Sequence, residues 1–283
     1  MSKAKTAAIP ESILKTSKFL QKVSPYLATR FGIKLFSTPV KFKTPKREGG
    51  FLKKSEILRV DIPQVSKTVQ VYKYGSGPRK ALLVHGWSGR GSQMHYIAEN
   101  LGEGFTVYAF DGPAHGKSTG KTTNMSEFIS SIEVLSKEYG PFEVLIGHSI
   151  GGMAVLNSVA RGVEVKSIIT IGAADTISEI ASDFAQKVGL SPKYGPRLKK
   201  YFDKKLNQDV DNFSAHKAAK SIGAQTLVIH DEDDMEVSVS CARNIRQNLS
   251  NGKLLITQKL GHTTILRSRE VVREINKFLN DEN

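Results

Sequence analysis

Residues 142–160, FEVLIGHSIGGMAVLNSVA, decide the fold. The first five are a largely apolar run that is typical of a buried strand, and the last nine favour a helix. Between them, residues 147–151 fit the pattern G-x-S-x-G, in which small residues allow a sharp turn from strand to helix. Such a turn holds its serine in a strained backbone conformation with the hydroxyl exposed, so we predict that Ser149 is a nucleophile. The alternative interpretation is an ordinary glycine-rich turn with a capping serine.

Apolar or β-branched runs recur on both sides of this stretch. From the third run onward, the intervening segments mostly favour helices, a pattern that indicates a mostly parallel sheet with helices on both faces. The first two runs have no helix between them and predict an antiparallel edge. The sequence therefore predicts an α/β protein with eight strands, at residues 57–60, 69–74, 81–84, 105–110, 142–146, 165–171, 225–229 and 253–256.

The segment between the sixth and seventh runs is too long for a simple crossover between parallel strands. It contains two further stretches that favour helices, TISEIASDFAQKVGL and SPKYGPRLKKYFDKKLNQ. Helices inserted at this point would lie over the carboxyl edge of the sheet. We therefore predict a main domain over residues 55–283, with a small helical cap inserted at about 174–214.

The basic charge of the chain is concentrated at the N-terminus. Of the formal net charge of +14, residues 1–54 contribute +11, from 13 Lys and Arg against Glu11 and Glu48. Two short amphipathic helices are predicted in this arm. We favour an arm that packs its apolar face on the main domain. The alternatives are a contact with an anionic membrane surface and an organelle-targeting segment.

Composition excludes several other classes of protein. The single cysteine, Cys241, cannot form an intramolecular disulfide and indicates a reducing compartment. The apolar runs are shorter than the roughly 20 residues that span a bilayer, so we expect a soluble, cytoplasmic protein. The surface after the arm is nearly balanced in charge and has no basic groove interleaved with aromatic residues. Nucleic acid is therefore not an expected partner.

Ligands of open α/β sheets bind beyond the carboxyl ends of the strands. In this chain, most loops rich in Gly, Ser, His and Asp directly follow predicted strands. A nucleophilic serine needs a base whose pKa lies near the operating pH, which favours histidine. Of the seven histidines, His262 alone follows the last strand, where the chain order serine, acid, histidine places the base. We therefore predict that His262 accepts the proton of Ser149.

The third member is a carboxylate that orients the imidazole. Four consecutive acids follow the seventh run in VIHDEDDMEV, and they cannot all face one ring: Asp231, Glu232, Asp233 and Asp234. We expect one of them to be catalytic and most of the others to be solvated. A metal site is not expected, because the run lacks the glycine and glutamate spacing of a calcium loop and no zinc-like cluster is present.

From about residue 69 to the C-terminus, the chain resembles the α/β-hydrolase superfamily. The resemblance depends on HGW at 85–87, DGPAHGKS at 111–118, GHSIGG at 147–152, HDEDDMEV at 230–237 and GH at 261–262. It implies the α/β-hydrolase fold with a triad of Ser149, Asp234 and His262. Asp233 and Asp175 are competing candidates for the acid. It also implies an oxyanion hole from the backbone N–H groups of Trp87 and Ile150, and an architectural role for DGPAHGKS.

The activity implied is that of a serine hydrolase, which cleaves a carboxylic ester or thioester through an acyl-enzyme. The expected substrate is a small-molecule ester with an apolar acyl group, and no cofactor is expected. A peptidase, a lactonase or an acyltransferase could use the same triad. The alternative from another class is a non-catalytic α/β domain whose basic arm docks on an acidic partner or a membrane.

Overall fold

A computed structural model of the protein describes residues 9–280. Eight strands form one sheet in the order β1-β2-β4-β3-β5-β6-β7-β8. The β1–β2 and β2–β4 pairs are antiparallel and the other pairs are parallel, as predicted for an edge followed by βαβ units. The strands are β1 Glu56–Ile62, β2 Lys67–Tyr74, β3 Arg79–Val84, β4 Phe105–Phe110, β5 Val144–His148, β6 Ser167–Ile171, β7 Gln225–Asp231 and β8 Gly252–Thr257.

Helices cover both faces of the sheet, as the strand–helix alternation predicts. Short 3₁₀ turns connect several elements. The α-helices are α1 Glu11–Val23, α2 Pro25–Ser37, α3 Gly49–Lys54, α4 His95–Asn100, α5 Met125–Tyr139, α6 Ile150–Ala160, α7 Ile177–Lys187, α8 Tyr194–Leu206, α9 Ala215–Ala219, α10 Val239–Gln247, α11 Gly261–Thr264 and α12 Arg269–Asn280.

The central strands are buried on both faces because two apolar clusters enclose them. On one face, Phe110 and Leu145 pack with Phe128 of α5 and Met153 of α6. On the other face, Leu83 of β3 and Ile146 of β5 belong to a cluster that α12 completes. Helix α12, which the sequence interpretation did not identify, buries one stripe at helical spacing: Val271, Val272, Ile275 and Phe278.

A third apolar cluster joins the N-terminal helices to the insertion between β6 and β7. Ala28 of α2 packs with Ala181 and Ala185 of α7 and with Leu198 of α8. The arm therefore packs on the inserted helices. The favoured interpretation had placed it on the main domain without naming the elements that it contacts. Within residues 9–280, no helix combines the length and the apolar character needed to cross a membrane.

Candidate active site

The strand-to-helix turn around Ser149 has the strained geometry expected of its sequence. Strand β5 ends at His148 and α6 begins at Ile150, while Ser149 between them has φ 55° and ψ −124°. The Ser149 N–H donates to the carbonyl of Ile171 at 2.9 Å, which fixes the turn against β6. A Cβ atom at Gly151 would collide with the carbonyl oxygen of Val84. The backbones can approach this closely only because glycine has no side chain.

His262 lies in the short helix α11, after β8. Its Nδ1 lies 2.7 Å from Oδ2 of Asp234. Since the carboxylate can only accept, Nδ1 carries the proton and Nε2 of the neutral ring is left as an acceptor. Gly172 borders the pair, because a Cβ there would lie 3.3 Å from the His262 Nδ1. Ser149 and His262 line the same cavity.

Asp234 is buried and is held in its ionised form. Its Oδ1 accepts the N–H groups of Glu236 at 2.8 Å and Val237 at 3.0 Å. Burial raises the pKa of the Asp234 carboxyl, but hydrogen bonds from His230 and His262 outweigh burial and lower that pKa well below its ordinary value. The carboxylate can therefore hold the His262 ring and stabilise its protonated form.

Glu232 and Asp233 are exposed, as expected for most acids of the run, and Asp231 is the exception. Strand β7 extends through Asp231, whose side chain is fully buried. Its carboxylate accepts the N–H groups of Gly261 at 2.8 Å and Leu260 at 3.1 Å, and the hydroxyl of Thr257 at 2.8 Å. Asp233 is exposed and accepts the N–H of Lys259 at 2.7 Å. Asp231 and Asp233 therefore hold the loop that carries His262.

Asp175, the third candidate for the acid, follows β6 and has other partners. Its carboxylate accepts the backbone N–H and the Nδ1–H of His216, each at 2.8 Å. The side-chain amide of Asn244 donates to its second oxygen. Asp175 therefore belongs to a second Asp–His pair, on α9, and its hydrogen bonds do not include His262.

Trp87 and Ile150, the predicted oxyanion-hole residues, meet at the turn around Ser149. Among residues 9–280, neither backbone N–H has a hydrogen-bond acceptor. The Trp87 turn is fixed by the N–H of Ser88, which donates to Nε2 of His115 at 3.0 Å. It also lies against Ser149, because a Cβ at Gly86 would come within 2.9 Å of the Ser149 Cβ. Trp87, Ile150 and Ser149 all line one cavity.

Three further histidines brace these loops in their neutral form. His148 donates its Nε2–H to the carbonyl of His262 at 2.8 Å. Burial and the neighbouring His262 lower the pKa of His148 to about 3. Burial also lowers the pKa of His85 to about 4 and, together with His85, that of His115 to about 3. Their hydrogen bonds connect the loops at this edge of the sheet, which is a structural role.

The DGPAHGKS turn is built around one buried carboxylate. Asp111 accepts the N–H of Gly91 at 2.8 Å, the N–H of Lys117 at 2.7 Å and the hydroxyl of Tyr72 at 3.0 Å. The Ser118 hydroxyl donates to the Asp111 carbonyl. These bonds join the turn to β2 and to the backbone at Gly91 and involve none of the residues that line the cavity, in keeping with an architectural role. In the described part of the chain, no three His, Cys, Asp or Glu side chains are grouped to hold a metal ion.

Comparison with known proteins shows the family and the fold of this chain. The sequence matches the alpha/beta hydrolase family over residues 81–274. The chain belongs to that family. A pimeloyl-[acyl-carrier protein] methyl ester esterase of Salmonella heidelberg is 27% identical over 107 residues, or 37% of this chain. The match covers only 41% of that relative's length, so its activity does not transfer directly.

Solved structures extend the comparison to the whole fold. A membrane phospholipase A aligns with 96% of this chain and 98% of its own, with a TM-score of 0.64 and 18% identity. The esterase RhEst1 from Rhodococcus sp. ECU1013 aligns over 81% of this chain and 100% of its own, with a TM-score of 0.62 and 14% identity. At these identities, the likeness establishes the α/β-hydrolase fold and no more.

In this α/β hydrolase, the cavity above Ser149 has a volume of about 450 Å³, within the usual range of ligand pockets. Its upper wall is aromatic: Phe184 of α7 and Phe202 of α8 each pack against Phe36 of α2, with ring centroids 5.1 and 5.5 Å apart. Helix α10 contributes Cys241 to the wall, and burial raises the pKa of that thiol to about 11. The sequence interpretation missed Phe36, because nothing local links the arm to the cavity.

Proposed function

We propose that this α/β hydrolase is a serine hydrolase that cleaves carboxylic esters or thioesters through an acyl-enzyme intermediate. One observation carries the proposal: Ser149 stands at a strained turn and lines one cavity with His262, whose Nδ1 is bonded to a buried, ionised carboxylate. That bond fixes the tautomer that a general base for serine requires. An ester is also the substrate named for the curated relative.

In the proposed reaction, the Ser149 hydroxyl attacks the carbonyl carbon and transfers its proton to Nε2 of His262. Asp234 stabilises the imidazolium that results. The N–H groups of Trp87 and Ile150 bind the oxyanion, an interaction that develops only as the carbonyl becomes tetrahedral. His262 then protonates the leaving alcohol or thiol, and a water molecule activated by the same ring releases the acid.

The substrate class follows from the wall of the cavity. Phe36, Phe184, Phe202, Ile180 and Phe213 present hydrocarbon above Ser149. An apolar acyl chain gains about 0.8 kcal/mol for each methylene that it buries against such a wall. We therefore propose an ester with an apolar acyl group, whose carbonyl is held at Ser149 while its chain extends toward the inserted helices.

A fluorophosphonate probe tests the proposed nucleophile. We expect the purified protein to be labelled and Ser149→Ala to be unlabelled. Ser240→Ala is a matched control, because Ser240 also lines the cavity but lies on α10. The control should be labelled like the wild type. Absence of labelling in the wild type, or labelling that persists in Ser149→Ala, would contradict the proposal.

p-Nitrophenyl esters of increasing acyl length test the proposed substrate class. We expect kcat/KM to rise with chain length until the cavity is filled. Phe184→Ala should move the optimum to longer chains, because it enlarges the wall above Ser149. A preference for acetate over every longer ester would exclude the apolar acyl group but leave the nucleophile intact.

A further inference from the structure

The two N-terminal helices bury small residues on the side that faces the insertion and leave four large apolar side chains exposed. Helix α2 turns Ala28 and Gly32 toward the inserted helices, and α1 buries Ser17. Four large side chains on either side of the α1–α2 turn remain in contact with solvent. They are Phe19, Val23, Tyr26 and Leu27, exposed by 64, 59, 66 and 46%, and are called here the apolar corner.

The helices cannot rotate to bury the apolar corner, because their other side is fitted to the insertion. Gln21 of α1 donates to the carbonyl of Gly189 at 2.9 Å and accepts the N–H of Ser191 at 2.7 Å. On α2, a Cβ at Gly32 would lie 2.9 Å from a methyl group of Leu190, so the helix is packed at the closest possible distance. The exposure of the corner is therefore a fixed property of this fold.

Positive charge surrounds the apolar corner. Residues 12–47 contain nine Lys and Arg and no Asp or Glu. Lys18 and Lys22 of α1 and Arg30 of α2 are exposed within one helical turn of corner residues. Arg30 also donates to the Tyr26 hydroxyl at 3.4 Å. Large apolar side chains ringed by cations are typical of segments that lie in the interface of an anionic bilayer.

We propose that the apolar corner docks this protein on bilayers that contain anionic lipids. Its four side chains enter the boundary between headgroups and acyl chains, while Lys18, Lys22 and Arg30 pair with lipid phosphates. A bilayer accepts a protruding apolar corner without a matching pocket, whereas an acidic protein would have to supply one. Docking uses no atom of the Ser149 site, so it holds or fails independently of the proposed hydrolysis.

Vesicle flotation with full-length Ser149→Ala protein tests the docking without turnover of lipid. We expect binding to phosphatidylcholine vesicles that contain phosphatidylglycerol, and little binding to phosphatidylcholine alone. Each Lys or Arg near an anionic surface contributes about fivefold to affinity, so replacing three should cost on the order of 100-fold at low salt. The charge variant replaces Lys18, Lys22 and Arg30 with Gln. Its control, of equal net charge, replaces the exposed Lys53, Lys54 and Lys200 with Gln.

A second variant tests the apolar contribution separately. Phe19→Gln, Tyr26→Gln and Leu27→Gln together should reduce binding at least tenfold. Ile57→Gln with Leu254→Gln, at exposed apolar positions on β1 and β8, should not. Far-ultraviolet circular dichroism verifies that all variants fold, as expected for exposed positions.

Three results would overturn the proposal. One is equal binding to vesicles with and without phosphatidylglycerol. Another is a loss of binding that is as large in the control variants as in the corner variants. The third is an oligomer in size-exclusion chromatography that the apolar variant dissociates, without vesicle binding by the wild type, which would assign the corner to a second copy of the chain.

Discussion

Two Asp–His pairs lie at the carboxyl edge of the same sheet. In one, Asp234 is 2.7 Å from Nδ1 of His262, and in the other, Asp175 is 2.8 Å from Nδ1 of His216. Both carboxylates are buried and follow neighbouring parallel strands, β7 and β6. The hydrogen bond between acid and imidazole is therefore common to both pairs and cannot by itself mark a catalytic residue.

The pairs differ in what else surrounds the imidazole. His262 lies on α11, after β8, and lines the cavity with Ser149, whereas His216 lies on α9 and is not among the described residues that line it. Asp175 also accepts the backbone N–H of His216 and the amide of Asn244. The proposed acid, Asp234, is therefore distinguished from Asp175 by its histidine, which lines the same cavity as Ser149. The second pair instead joins β6, α9 and α10.

The largest effect should come from matched substitutions of the two acids. Asp234→Asn should lower kcat about 10⁴-fold, because an amide at this position favours the histidine tautomer that cannot accept the serine proton. Asp175→Asn should change kcat less than about tenfold while lowering the free energy of unfolding by about 1–3 kcal/mol, since buried donors lose their acceptor. Steady-state ester hydrolysis and urea unfolding measure both quantities. Equal losses of kcat in the two variants would show that the pairs are functionally alike.

The next largest effect should come from Asp231, whose carboxylate holds the backbone just before His262. Asp231→Asn should lower kcat on the order of 100-fold, because the buried carboxylate that binds Leu260 and Gly261 sets the position of the ring, and misplacement by about 1 Å costs this much. KM should change little, since Asp231 does not line the cavity. Asp233→Asn, which loses one exposed bond to Lys259, should stay within about threefold.

This role of Asp231 would be contradicted if Asp233→Asn lowered kcat as much as Asp231→Asn does. It would also be wrong if Asp231→Asn raised KM and left kcat unchanged. If instead Asp233→Asn collapsed kcat while Asp234→Asn did not, the acid proposed from the family spacing would be displaced by one residue.

Short stretches of sequence were sufficient to predict the features of the fold that depend on neighbouring residues. The G-x-S-x-G pattern predicts the turn at Ser149, because its steric requirements lie within five consecutive residues. The alternation of strands and helices predicts the sheet and its antiparallel edge, which the fold confirms. His262 could be selected only by chain order after the last strand, and Asp234 only by the spacing of the family motif.

The remaining features depend on contacts between residues that are far apart in the sequence. The sequence alone could not distinguish the structural role of Asp231 from the roles of its acidic neighbours. The pairing of β7 with β8, which places Asp231 opposite Thr257, makes the distinction. Phe36 reaches the cavity only because the arm packs on α7 and α8, more than 140 residues away in the chain. Long-range docking of this kind depends on complementary surfaces, for which no residue spacing is diagnostic.

The smallest effect should come from His148, which donates to the His262 carbonyl beside the Asp234–His262 pair. His148 is neutral in the folded protein, with a pKa lowered to about 3, but titrates near 6.5 when unfolded. Below pH 6.5, the unfolded chain therefore binds the extra proton, and stability falls as the pH falls toward 3. Between pH 7 and pH 5, this residue alone should remove about 2 kcal/mol from the free energy of unfolding.

Urea unfolding at pH 7, 6 and 5 measures this loss of stability. In His148→Gln, the loss between pH 7 and pH 5 should be smaller by about 2 kcal/mol, because Gln does not titrate. His85 and His115 remain in the variant and lose stability in the same direction, so a residual slope is expected. If wild type and variant lost the same amount, His148 would not be the neutral brace of the His262 loop.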